Sequence, residues 1–108
     1  MSLAVYPLTA LAAALSPGAS LHDADWAAEK CELYQLAVRD AAEIVGTSDL
    51  RPEFLAQNDA FIASGCTSQA PVCAETKGEI ALADLLTVMT MNEGMASTFV
   101  PFSCKPAT

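Results

Sequence analysis

A chain of 108 residues has room for one domain built on one small core. Its 5 Lys plus Arg face 13 Asp plus Glu, for a net charge of -8. That balance repels phosphate backbones and anionic headgroups, which argues against nucleic acid as a partner and favours a basic protein.

The opening stretch, MSLAVYPLTALAAALSPGAS, carries no charge. An apolar run from Leu3 to Leu15, followed by the small residues Gly18 and Ser20, reads as a secretory signal peptide over residues 1–20, with processing expected before Leu21. The basic start of such a peptide is missing, so the second reading is an apolar N-terminal segment that packs on the domain. Broken by Pro7, the run is too short to span a bilayer, and no stable membrane insertion is expected. Either way, residues 21–108 are read as a single helical domain.

The next segment, 24–45, places Ala27, Cys31, Tyr34, Val38, Ala41 and Val45 at alternating spacings of four and three, the signature of one helix face. Ser20 or Asp23 is the expected N-cap, and Gly46 the expected stop. Four acids, Asp23, Asp25, Glu29 and Glu32, open this helix. They complement the positive end of its dipole while staying solvated, and they are the candidate contacts for a basic partner. A TSDLRP turn then delivers Pro52 to the first position of a second helix, whose face is Phe54, Leu55, Phe61 and Ile62, with Asn58 on the same stripe and Gly65 at the end. A third helix starts near Glu75, presents Ile80, Leu82, Leu85, Leu86 and Met89 with Asn92 further along the stripe, and breaks at Gly94. The aromatic residues Trp26 and Tyr34 and the run from Phe99 to Phe102 are read as cover for the core.

Cys31, Cys66, Cys73 and Cys104 read as two disulfides, because a small exported domain gains most from such staples. Zinc would need more ligands than this chain offers, with His22 its only histidine, and no C-x-x-C redox pair is present. If the second helix runs back down the first, Cys66 arrives level with Cys31, and Cys73 and Cys104 are expected at that same end. The ten residues that follow Gly94, up to Cys104, can extend about 33 Å, enough to retrace a helix. The favoured pairing is Cys31 with Cys66 and Cys73 with Cys104; the rival is Cys66 with Cys73 and Cys31 with Cys104. The fold expected is therefore all-α: a small disulfide-stapled bundle of three main helices with a C-terminal tail returning along the bundle.

No nucleophile, base and orienting acid can be assembled, so no catalysis and no cofactor are expected. Met91 and Met95 share a face if the third helix continues, which raises an alternative, a small-ligand or Cu(I) carrier of the cell envelope. The main functional expectation is an acidic protein-binding module (inhibitor, immunity-type or chaperone-like) that is periplasmic or secreted.

Overall fold

The computed structural model describes residues 18–104, with side chains from Asp25 onward. The expected signal segment lies outside the described residues but for Gly18–Ser20, and so do the side chains of His22 and Asp23. Three helices carry the described chain: α1 (Gly18–Val45), α2 (Pro52–Ala63) and α3 (Lys77–Asn92). The helix α1 begins before its expected start, so Ser20 and Asp23 lie inside it and neither is its cap. Disulfides join Cys31 to Cys66 and Cys73 to Cys104, with Cα separations of 5.4 Å and 4.5 Å.

Each helix ends on a glycine. The Gly46 N–H donates to Ala42 O at 2.8 Å and stops α1. The helices α2 and α3 share a tighter device in which two successive amides turn back into the last turn. In α2 these are Gly65 N to Ile62 O (2.9 Å) and Cys66 N to Phe61 O (3.0 Å). In α3 they are Gly94 N to Met91 O (3.0 Å) and Met95 N to Thr90 O (3.1 Å). The turn requires a left-handed residue, and φ is +79° at Gly65 and +95° at Gly94. Its consequence is that the residue after each glycine is tucked inward, so Cys66 and Met95 are both buried.

The two disulfides sit at opposite ends of the bundle, which corrects the expectation that all four cysteines gather at one end. Cys66 meets Cys31 where α2 finishes. The chain from Cys66 to Thr76 then climbs back along the bundle without helix, and α3 starts beside the α1–α2 turn: Gly78 N donates to Asp49 Oδ2 at 2.7 Å and Arg51 Nη2 to Cys73 O at 3.1 Å. So α3 runs antiparallel to α1, against which it packs. After Gly94 the tail retraces the bundle, with Phe99 against Tyr34 and Phe61 and Phe102 stacked on Phe54. It ends in a single parallel bridge, Val72 to Phe102, just before Cys104.

The core is Tyr34, Phe54, Phe61, Val72, Leu82 and Leu86 with smaller residues around them. Several expected core positions face outward instead, with Ala27, Leu55, Ile80 and Asn92 exposed, whereas Leu85 and Met89 pack half-buried against the core. For Ala27 the reason is length. At 1.5 Å per residue α1 is ~42 Å long and α2 only ~18 Å, so α1 overhangs the bundle below Cys31. For Ile80 the reason is helix rotation: the buried stripe of α3 is Glu79, Leu82, Ala83, Leu86 and Thr90, with a polar residue at each end.

Candidate functional site

Because α1 starts at Gly18, no acid lies in its first turn, and the expected pairing of Asp23, Asp25, Glu29 and Glu32 with the positive end of its dipole does not arise. Asp25, Glu29 and Glu32 are exposed, and the helical spacing of four and three continues through exposed Leu36, Arg39 and Glu43. These six residues form one row on the side of α1 away from Cys31, Tyr34 and Ala41. Four carboxylates and one guanidinium give the row a net charge of -3, and Leu36, 51% exposed, interrupts it at the centre. Lys30 does not join the row, because its Nζ lies 5.4 Å from the Phe99 ring centroid and 5.9 Å from that of Trp26.

The methionines part company. Met91 is exposed on the last turn of α3, whereas Met95 lies past the helix end at Asn92 and is buried by the Gly94 turn. The i, i+4 helical relation between them therefore does not exist. Asn58 is buried, and its Oδ1 accepts from the Tyr34 hydroxyl, so this polar group on an apolar stripe is satisfied by the neighbouring helix. Burial pushes the Tyr34 phenol pKa upward.

A polar cluster that hydrophobic periodicity misses joins the α1–α2 turn and the start of α2 to the start of α3 at the upper end of the bundle. Glu79 is fully buried. Its carboxylate accepts from Arg51 N at 2.7 Å, Arg51 Nε and Nη2 at 2.9 Å each, Glu75 N at 2.8 Å and Thr76 N at 3.3 Å. Burial by itself would raise the carboxyl pKa, but the bonds from the Arg51 side chain and from the backbone of Glu75, Arg51 and Thr76 outweigh it and hold the value down to about 2. Thr76 caps α3 by accepting from Glu79 N at 3.0 Å, and its hydroxyl donates to Asp49 O. The local signal for this was present: Thr76 followed three residues later by Glu79 is a capping box. What the local pattern lacks is Arg51, which sits 28 residues earlier in the chain. These bonds, all made within the fold, latch the start of α2 to the start of α3.

Between the loop after Cys66 and the returning tail lies a solvent-open cleft with a volume of about 490 Å³, floored by Phe61, Phe99 and Phe102 and free of charged lining residues. Among the described residues, no group of three or more His, Cys, Asp or Glu side chains is placed to hold a metal ion, and no helix is long and apolar enough to cross a membrane. No protein-family model, curated protein or solved structure matches this chain.

Proposed function

We propose that this chain is an exported, disulfide-stapled binding module whose acidic α1 row docks a basic partner protein, and that it acts by binding and not by catalysis. Residues 1–20 serve as its export signal in this reading, and its place of action is the periplasm or the secreted space. Two disulfides with no unpaired cysteine fit an oxidising environment. The observation that carries the docking is the row Asp25, Glu29, Glu32, Leu36, Arg39 and Glu43: charge for steering, with an apolar contact in its middle. An inhibitor, an immunity-type protein or a chaperone-like carrier would each use such a face.

The test takes a partner recovered from the native cell envelope and follows its association rate as salt rises from about 0.05 to 0.5 M. Opposite potentials make that rate fall by on the order of tenfold while dissociation changes less. Asp25→Lys with Glu29→Lys and Glu32→Lys slows association without changing the melting temperature by more than a few degrees. An association rate indifferent to both salt and charge reversal rejects the reading.

A further inference from the structure

The two disulfides differ in where they stand. Cys31 and Cys66 are both buried inside the α1–α2 contact. Cys104 is exposed and Cys73 half-buried, at the far end of the tail. A thiolate reaches a sulfur only through solvent, so access orders the two bonds for exchange.

The tail that Cys104 closes has few other ties. Its backbone makes two bonds to the climbing loop, Val72 N to Pro101 O at 3.0 Å and Ser103 N to Val72 O at 3.2 Å. Phe99, Val100 and Phe102 are each half-buried against the core. Burying Pro101 and half-burying three further side chains offsets only part of the conformational entropy lost by fixing the tail backbone, and the covalent tie supplies the rest. Beneath it lie the rings of Tyr34, Phe54 and Phe61, all fully or almost fully covered.

We propose that Cys73–Cys104 is a thiol-sensitive clasp: a dithiol opens it, the tail lifts, and the aromatic surface of Tyr34, Phe54 and Phe61 becomes accessible while Cys31–Cys66 holds the helices together. In the step, one thiolate of the dithiol attacks the sulfur of Cys104, the exposed residue of the pair, the S–S bond breaks, and Cys73 leaves as thiolate and takes a proton. The second dithiol sulfur then displaces Cys104. The protein gains two thiols and the reagent becomes its cyclic disulfide. The device lies outside the α1 row and does not depend on the docking function.

Dithiothreitol titration of the intact protein, with alkylation quench and peptide mapping, tests the order. Cys73 and Cys104 are expected to become alkylated at least tenfold faster than Cys31 and Cys66. Amide hydrogen exchange in the singly reduced species tests the lift: the amides of Val72 and Ser103 speed up at least tenfold, while that of Leu86 in α3 keeps its protection. Cys73→Ser combined with Cys104→Ser gives the same exchange pattern without reductant. Concurrent reduction of both bonds overturns the proposal. So does unchanged exchange at Val72 and Ser103 after Cys73–Cys104 has opened, or loss of Leu86 protection together with theirs.

Discussion

Replacing Glu79 by Gln probes the latch that joins α2 to α3. The substitution keeps the shape of the side chain and removes its charge, leaving the Arg51 side chain, 28% exposed, without the carboxylate it grips through two nitrogens. It also trades strong acceptors for weaker ones at the amides of Arg51, Glu75 and Thr76. Breaking a buried pair by removing one partner costs about 3 to 5 kcal/mol, but Arg51 is partly open to water and keeps Glu53 at 3.1 Å and Glu75 at 3.8 Å, so the expected loss falls below that range, on the order of 2 kcal/mol. That is a large share of the stability of a domain this size. Urea unfolding at pH 7 with the disulfides intact measures it. The pH dependence gives a second, independent reading. The folded pKa of Glu79, about 2, lies below its ordinary value of 4.5. The unfolded chain therefore binds the extra proton first, and this stabilisation is complete above pH 4.5 and drains away as the pH falls toward 2. The stability gap between the native protein and Glu79→Gln should close over that same window. A variant within about 0.5 kcal/mol of the native protein at pH 7, or a gap that persists unchanged at pH 2, would refute the reasoning.

Gly78→Ala places a Cβ 2.7 Å from Asp49 Cβ and 3.1 Å from Asp49 O, so the α1–α2 turn must move off the start of α3; a loss of roughly 1 to 3 kcal/mol is expected by thermal unfolding. Tyr34→Phe leaves the buried Asn58 carbonyl without its donor, which costs about 1 to 3 kcal/mol in a denaturant titration. Because burial raises the folded pKa of Tyr34, the native protein should also lose stability as the pH climbs above 10, a loss the Phe substitution removes. Cys31→Ser with Cys66→Ser opens a crosslink between residues 35 apart, and the lost restriction of the unfolded chain lowers stability by about 4 kcal/mol in urea.

The local rules of the chain were enough for the elements themselves, apart from the start of α1, which precedes both expected caps, Ser20 and Asp23. Pro52 and the glycines at 46, 65 and 94 bracket the helices because proline suits a helix start and only glycine enters the left-handed turn without strain. The disulfide pairing was also within reach, since an antiparallel α2 brings Cys66 to Cys31 and leaves the other two cysteines to each other. Tertiary structure alone decided the direction of α3. The eleven residues of non-helical chain from Cys66 to Thr76 extend up to ~33 Å, far more than the ~18 Å length of α2, so the same segment can turn at once or climb the whole bundle. Burial of Val72 and the docking of Asp49 on Gly78 select the climb.

The buried stripe of α3 was hidden for a related reason. Hydrophobic periodicity points to Ile80, Leu82, Leu85, Leu86 and Met89; Leu82 and Leu86 are buried and Leu85 and Met89 pack half-buried against the core, but the helix rotates to bury Glu79 and Thr90 and leaves Ile80 outside. A polar side chain goes inside only when its partners are waiting there. Thr90 brings its own, donating to Leu86 O at 2.9 Å within the helix, whereas Glu79 depends on Arg51 from another part of the chain. The exposed acids of α1 needed no such partner, and their spacing alone put Asp25, Glu29 and Glu32 on one open face. Sequence thus sets where helices end and carry charge, and where α2 and α3 begin, through interactions within a few residues. Which way they run and which polar groups they bury is fixed by contacts between residues tens of positions apart, which no local pattern encodes.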